Sequence, residues 1–108
     1  MAEVIWVKRA HEEKDMLYLN GRLEFGVNVA NKTAQKIRMI EEHLAKYPTT
    51  GFIEQLLKDK TEYVFRSWHI NIRFKIVYRY DEEADVVVIE DIWDTRRSPQ
   101  NLTKRIGR

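Results

Sequence analysis

The strongest constraint on the fold is a run of alternating residues over positions 70–80. Apolar side chains take every second position, at Ile70, Ile72, Phe74, Ile76, Tyr78 and Tyr80. Polar side chains stand between them, at Asn71, Arg73, Lys75 and Arg79, and Val77 is the exception. Because successive side chains of a strand point to opposite faces, this pattern predicts a strand with one buried face.

A second strand follows after a polar segment, residues 81–85. Residues 86–89 (VVVI) are apolar on both faces, which is typical of a strand deep in a sheet. Two such runs with a short connection predict an antiparallel hairpin. The hairpin ends at residues 93–97 (WDTRR), where the charge changes from acidic to basic. We expect the function to lie at that end.

The N-terminal part predicts a strand followed by a helix. Residues 3–8 (EVIWVK) are typical of an opening strand, and residues 10–25 favour a helix. We expect its apolar stripe to be formed by Met16, Leu17 or Leu19, and Leu23. Asn20-Gly21 is a point where this helix would break or kink, and Gly26 is the expected stop.

A second helix is marked by apolar residues at spacings of three and four. They are Ala30, Ala34, Ile37, Ile40 (or Glu41 on the same turn), Leu44 and Tyr47. This spacing predicts one buried helical face. Asn28 or Asn31 is the expected cap, and residues 48–51 (PTTG) end the helix. Two consecutive amphipathic helices predict a helical hairpin that covers one face of a sheet.

The remaining segments complete a single domain that spans residues 1–108. Residues 52–60 form a polar connection anchored by Ile53, Leu56 and Leu57, and residues 61–68 predict a strand. Ser98-Pro99 can begin a short helix docked by Leu102 and Ile106. The predicted class is α+β: an antiparallel twisted sheet with an N-terminal strand, a helical hairpin on one face and a short C-terminal helix.

The net charge of +2 hides an uneven distribution. Residues 1–95 carry 14 basic and 17 acidic side chains, whereas residues 96–108 carry five basic and no acidic ones. A basic C-terminal segment indicates either an acidic partner or a solvated tail. The chain has no cysteine, no apolar run longer than four residues and no visible signal peptide, so we expect a cytoplasmic protein without a membrane segment.

Few residues indicate cofactor or metal chemistry. No glycine-rich phosphate loop precedes a helix, and His11, His43 and His69 lack the spacing of a metal site. We therefore expect neither a cofactor nor a metal, and interpret the carboxylates of residues 81–91 as solvated. His69 is the one histidine that we consider as a proton carrier, although a structural role is favoured.

Basic residues are the more suggestive group. Arg73, Lys75 and Arg79 are predicted to share one face of a strand, Arg66 lies on the strand before, and Arg96 and Arg97 follow the neighbouring strand. Cations on a sheet can hold phosphates, stabilise a phosphodiester transition state or bind an acidic peptide. The alternative is a solvated face whose charges are balanced by nearby acids.

Three stretches, taken with the element order, resemble the RelE/ParE superfamily of bacterial type II toxins. They are residues 48–51 (PTTG), 75–79 (KIVYR) and 92–99 (IWDTRRSP), and the resemblance covers nearly the whole chain. The resemblance implies a small growth-inhibiting toxin of the plasmid-stabilisation type. It also implies a cognate antitoxin that wraps the sheet and the helical hairpin.

The superfamily divides by mechanism. RelE-like members are similar to ribonucleases that cut messenger RNA in the ribosome, whereas ParE-like members poison DNA gyrase. Lys75 stands where RelE-like members carry a strand arginine, and Asn101-Leu102 stand where their C-terminal tyrosine is expected. No tyrosine or histidine follows Tyr80.

This departure favours a ParE-like toxin that binds its target and is not an enzyme. The resemblance then implies a surface for the target or antitoxin that is formed by Arg73, Lys75, Arg79, Trp93, Arg96 and Arg97. The alternative is a ribosome-dependent endoribonuclease that uses Arg66, Arg73, Lys75 and Arg96. A third interpretation is a degenerate member that only binds its antitoxin.

Overall fold

The computed structural model of the chain describes residues 1–58 and 61–106, so Asp59 and Lys60 of the predicted 52–60 connection lie outside the described residues. Within these ranges a sheet is formed by β1 (Glu3–Trp6), β2 (Phe52–Ile53), β3 (Phe65–His69), β4 (Phe74–Asp81) and β5 (Val86–Asp94). It is accompanied by α1 (Lys8–Phe25), α2 (Val27–Lys46), a 3-10 turn (Gln55–Leu57) and α3 (Pro99–Ile106).

The strand order is β1-β5-β4-β3-β2. Neighbouring strands from β5 to β2 are antiparallel, whereas β1 lies parallel to β5, with Glu3 opposite Val86 and Trp6 opposite Ile89. The predicted α+β class, N-terminal strand, helical hairpin and C-terminal helix are confirmed. The sheet is mixed, however, because β1 lies at its edge parallel to β5, which the chain reaches only after both helices and three further strands.

The predicted β4–β5 hairpin is present, with a polar turn that ends at Asp85 in the left-handed region (φ 55°). Its register shifts once, because Tyr78 lies opposite Ile89 while Val77 lies opposite Asp91. Glu90 is therefore the extra residue of a β-bulge. The bulge brings Asp91 to the face of the sheet that also carries Val77.

The helical hairpin covers one face of the sheet. Side chains from β4, β5, α1 and α2 share this core and include Ile76, Tyr78, Val87, Ile89, Ile92, Ala10, Ile37, Ile40 and Leu44. The buried positions of α2 repeat at the predicted helical spacing. Ala34 is half-buried, and the predicted contribution of Tyr47 is wrong, because Tyr47 follows the last residue of α2 and its side chain is exposed.

A smaller core lies on the opposite face, beneath α3 and the 3-10 turn. It consists of Leu57, Phe65, Val77, Trp93 and Leu102, with Leu56 and Ile106 partly buried against it. The predicted docking of α3 through Leu102 and Ile106 is therefore confirmed. Of the predicted 52–60 anchors, Leu57 is buried, whereas Ile53 is exposed on β2.

Helix α1 differs from the prediction in two respects. It runs without a break through Asn20-Gly21 to Phe25 and ends at Gly26, whose φ of 94° favours glycine. Its buried side matches the predicted stripe only at Leu17, which packs partly buried against the core, because Met16 and Leu23 are exposed and Ala10 is its fully buried residue. None of the described helices combines the length and apolar composition needed to cross a membrane.

The predicted asparagine cap of α2 is wrong. The helix begins at Val27, directly after Gly26, and no side chain caps it. Asn31 lies one turn inside the helix, where its Oδ1 accepts a hydrogen bond from the Tyr18 hydroxyl at 2.8 Å. Asn31 therefore links the two helices of the hairpin.

Residues 70–73 were predicted as strand but form the connection between β3 and β4. The Asn71 Oδ1 accepts hydrogen bonds from the N–H groups of Arg73 (2.9 Å) and Phe74 (2.8 Å). This side-chain turn replaces the ladder of a strand. Ile72, which alternation placed in the core, is 96% exposed.

Candidate functional site

Lys75, a predicted phosphate- or partner-binding residue, forms an ion pair within the protein. Its Nζ contacts the Oε1 of Glu54, and both side chains are largely buried. The Oε2 of Glu54 accepts a hydrogen bond from the Leu56 N–H at 3.1 Å and so caps the 3-10 turn. The geometry gives Lys75 a structural task, which is to hold this turn against β4.

Arg79 and Arg66 are likewise engaged by groups of the chain itself. The Nε of Arg79 lies 3.2 Å from the Glu90 Oε1, and its guanidinium lies 4.7 Å from the centre of the Tyr63 ring. The Nη1 of Arg66 donates to the Gly51 carbonyl oxygen at 3.0 Å. The cations of this sheet region are therefore paired by the fold.

Trp93 was predicted to contribute to a binding surface, but its side chain is only 1% exposed. Trp93 fills the small core beneath α3. The guanidinium of Arg97 lies 5.9 Å from its ring centre and remains exposed. Of these two residues, Arg97 can reach a partner.

Asp94, at the end of β5, binds two of the predicted site residues, Arg73 and Arg96. It accepts from the Arg73 Nε at 3.3 Å, from the Arg96 N–H at 3.0 Å and from the Arg96 Nε at 3.4 Å. Desolvation raises the pKa of Asp94, but the hydrogen bonds from Arg96 and Arg73 outweigh it and lower the pKa below its ordinary value. Arg73 and Arg96 therefore lie side by side on one carboxylate.

Thr95 fixes the same strand end to the connection before β4. Its hydroxyl donates to the carbonyl oxygens of Ile72 (3.1 Å) and Arg73 (3.0 Å), and its N–H donates to the Arg73 carbonyl at 2.7 Å. The stretch 92–97 thus builds a structural corner. Arg73, Arg96 and Arg97 project from that corner.

A cleft of about 180 Å³ lies between α1 and this corner, and we call it the α1 groove. Its apolar lining includes Met16 and Leu17 from α1 and Phe74 and Ile92 from the sheet. Its charged lining is divided, since α1 supplies Glu13 and Glu24, whereas the corner supplies Arg73, Asp94 and Arg97.

Exposed apolar side chains continue from the α1 groove to the end of the helical hairpin. This hairpin tip consists of Leu19, Leu23, Phe25, Val27 and Val29. Phe25 lines the groove as well. Sequence reasoning assigned Leu23 to the core, although apolar residues on more than one face of α1 were a signal that some of them face solvent.

His69, the predicted candidate proton carrier, and Tyr78 lie in different surroundings. Tyr78 is fully buried, as its alternation with Arg79 predicts, and its hydroxyl oxygen accepts from the Gly51 N–H at 2.9 Å. Burial raises the pKa of Tyr78 above its ordinary value. His69 is exposed at the end of β3, with its Nδ1 3.3 Å from the Asn71 carbonyl oxygen.

In residues 1–58 and 61–106, no three histidine or carboxylate side chains converge as a metal site requires.

The basic C-terminal segment is partly neutralised by the fold. Arg96 pairs with Asp94, and Arg105 pairs with Asp91 and Glu13. Arg108 lies outside the described residues. Arg96 and Arg105, two of the five cations of this segment, are therefore already paired with acids of the chain.

Comparison with known proteins adds to this geometry. Residues 4–99 match the family described as the ParE toxin of type II toxin-antitoxin system, parDE. No curated protein matches the chain significantly. The match covers most of the chain, from β1 through the corner that carries Arg96 and Arg97. The chain therefore belongs to the ParE toxin family of type II toxin–antitoxin systems.

Proposed function

We propose that this chain inhibits growth in the cytoplasm by binding its target, that DNA gyrase is this target, and that a cognate antitoxin neutralises it. In this proposal the exposed Arg96 and Arg97 at the end of β5 contact the target. Membership of the ParE toxin family supports the toxin role and an antitoxin partner. The choice between target binding and RNA cleavage depends on the chemistry of the sheet.

The observation that carries this choice is the pairing of the sheet cations with acids of the chain. Lys75 pairs with Glu54 and Arg79 pairs with Glu90. A nuclease needs cations for the phosphate and a general acid for the leaving oxygen, and that acid typically contributes about a hundred-fold or more. Arginine stays charged at working pH and is a poor general acid. Tyr78 is buried and already engaged, and the chain has no tyrosine or histidine beyond Tyr80.

The experiment combines two assays on the same protein. We expect induction in cells to leave messenger RNA 5′ ends unchanged and purified protein to inhibit gyrase supercoiling. Arg96→Ala and Arg97→Ala should weaken the inhibition, whereas Arg38→Ala, at an exposed position on α2, should not. Codon-phased cuts that vanish in Arg73→Ala would instead establish the endoribonuclease alternative. Full growth with neither effect would indicate a member that only binds its antitoxin.

We further propose that the antitoxin contacts the α1 groove and the adjoining hairpin tip. The groove offers an apolar floor between an acidic side on α1 and a basic side at the corner. An amphipathic segment would fit it, with apolar side chains against Leu17 and Phe74 and acids toward Arg73 and Arg97. Exposed apolar patches of this kind mark interaction sites in soluble proteins.

This contact is tested by charge reversal. The toxin should be co-expressed with the small reading frame beside its gene, and affinity should be measured for the purified pair. Arg97→Glu should weaken binding at least ten-fold, about 1.4 kcal/mol, whereas Arg38→Glu on α2 should have little effect. Separate elution of the two wild-type proteins at micromolar concentration would contradict the antitoxin assignment itself. Equal loss in both variants would contradict only the location.

A further inference from the structure

Arg105, near the end of α3, joins three elements of the fold. Its Nη2 lies 2.8 Å from the Oδ1 of Asp91 on β5 and also contacts the Oε1 of Glu13 on α1. In return, the Nη1 of Arg9 on α1 donates to the carbonyl oxygen of Arg105 at 3.2 Å. The C-terminal helix is thus attached by a small set of charged contacts, in addition to the packing of Leu102 and Ile106.

Asp91 is the unusual member of this set. Its side chain is completely buried, and it lies opposite the apolar Val77 on the neighbouring strand β4. Its Oδ1 is engaged by Arg105, whereas no group in the described part of the chain hydrogen-bonds its Oδ2. A buried carboxylate with one unpaired oxygen costs free energy when it is ionised.

The charges around Asp91 come from each element packed near it. Arg105 extends from α3, and Arg9 and Glu13 extend from α1. Its neighbour on β5, Glu90, pairs with Arg79 of β4. Burial raises the pKa of Asp91 to about 6, and this effect exceeds the lowering by Arg105 and Arg9. Detachment of α3 would expose Asp91 to water, and its pKa would then return toward the ordinary value.

A proton therefore binds Asp91 more tightly while α3 is docked than after α3 has detached. We propose that α3 is a pH-sensitive clasp, which tightens on acidification and detaches as a unit at higher pH because Asp91 beneath it is then charged. The clasp also reaches the α1 groove. Glu13 both lines the groove and binds Arg105, and Arg97 lines the groove two residues before the first residue of α3. Detachment would free Glu13 and release the chain beyond Arg97.

Hydrogen exchange of the α3 amides tests the clasp, with rates corrected for intrinsic exchange at each pH. Between pH 5 and pH 8 the protection of α3 should fall about ten-fold, the ratio expected for a group with a pKa near 6 when docked and near 3.8 when exposed. Protection of β4 and β5 should fall by the same factor, because Asp91 is also exposed on global unfolding, but it should stay higher than that of α3 at every pH, because α3 detaches before the sheet opens. Protection of α3 that does not change with pH, or that equals the protection of the sheet at every pH, would overturn the proposal.

Two variants identify the group responsible. Asp91→Asn should make the protection of α3 nearly independent of pH. Arg105→Gln should lower the protection of α3 most at pH 8, because Asp91 is then charged and has lost its partner Arg105. Arg38→Gln, at an exposed position on α2, is the matched control and should reproduce the wild-type profile. A pH dependence that persists in Asp91→Asn would contradict the role of Asp91. If Asp91→Asn does not fold, the wild-type and Arg105→Gln profiles still decide the outcome.

Discussion

The hydroxyl oxygen of Tyr78 accepts a hydrogen bond from the backbone N–H of Gly51 at 2.9 Å, although 27 residues separate them along the chain. Both residues are buried. The contact attaches the segment after α2 to the centre of β4, and Arg66 reinforces it by donating to the Gly51 carbonyl oxygen. Gly51 ends the stretch 48–51 that resembles the toxin superfamily, so part of that resemblance has a structural cause.

Gly51→Ala should destabilise the fold, because an added Cβ would lie 2.7 Å from the Cε1 and 2.9 Å from the Cζ of Tyr78. The Tyr78 ring is enclosed in the core and has little room to move. We expect a loss of about 1–3 kcal/mol in the free energy of unfolding, as is typical of overpacked cores. Urea denaturation measures it. Gly21→Ala is the control, since its nearest contact, Ala30, would lie at an ordinary 3.9 Å.

Tyr78→Phe should also destabilise, by leaving the Gly51 N–H buried without its partner. The cost of such a group is about 1–3 kcal/mol. Tyr80→Phe is a matched control on the same strand, because the Tyr80 hydroxyl bonds Asp85 in an exposed turn. The control should change stability by about 0.5 kcal/mol or less. Equal losses of stability in the two variants would mean that the hydrogen bond between Tyr78 and Gly51 adds nothing to the free energy of unfolding.

The sequence was most informative where one periodic pattern decided the outcome. The spacing of Ile37, Ile40 and Leu44 identified the buried face of α2, because a helix with a single apolar stripe has one way to pack. The same reasoning was wrong for α1, which approaches α2 through Gly21 and buries Ala10. Small residues allow close packing but give a weak periodic signal.

The candidate site was predicted less completely, because pairing partners come from distant segments. Lys75 meets Glu54, and Arg105 meets Glu13 and Asp91, at separations that no local pattern reveals. Alternation correctly placed Lys75 and Arg79 on one face of β4, but it could not show that each has an acid beside it. The α1 groove likewise depends on how α1 crosses the end of the sheet.

Lys75→Met provides a test of the structural task assigned to Lys75. The variant would leave Glu54, which is 4% exposed at its side chain, as a buried charge without its partner. Breaking a buried pair in this way costs about 3–5 kcal/mol. The double variant Lys75→Met/Glu54→Gln should recover much of that loss, because the unpaired charge is gone. Wild-type stability of Lys75→Met would show instead that Lys75 is held in place for a partner.

Asp91 and Asp94 should give opposite dependences of stability on pH. The pKa of Asp91 is raised to about 6 in the folded protein. Its contribution to the free energy of unfolding is therefore fully present below the pKa of Asp91 in the unfolded chain, near 3.8, and is lost as pH rises through 6. The loss is on the order of 3 kcal/mol. The pKa of Asp94 is lowered, so its contribution is present above the unfolded pKa and is lost as pH falls. Urea titrations from pH 2 to 8 should therefore show a flatter decline above pH 4 in Asp91→Asn and less acid sensitivity below pH 4 in Asp94→Asn. Unchanged pH profiles in both variants would contradict these assignments.

The hairpin tip should be dispensable for folding but needed for the antitoxin. Phe25 is 64% exposed, and surface substitutions of this kind usually change stability by about 0.5 kcal/mol or less. Phe25→Ser should therefore unfold at the wild-type urea concentration, yet bind the antitoxin more weakly, by roughly ten-fold or more, because a partner no longer buries an aromatic ring there. Phe52→Ser is the matched control, since Phe52 is 75% exposed on β2, the last strand in the order β1-β5-β4-β3-β2. Calorimetric titration of both variants with the antitoxin distinguishes the two surfaces. If Phe52→Ser loses affinity and Phe25→Ser does not, the antitoxin binds the β2 edge, and the α1 groove and hairpin tip are not its docking surface.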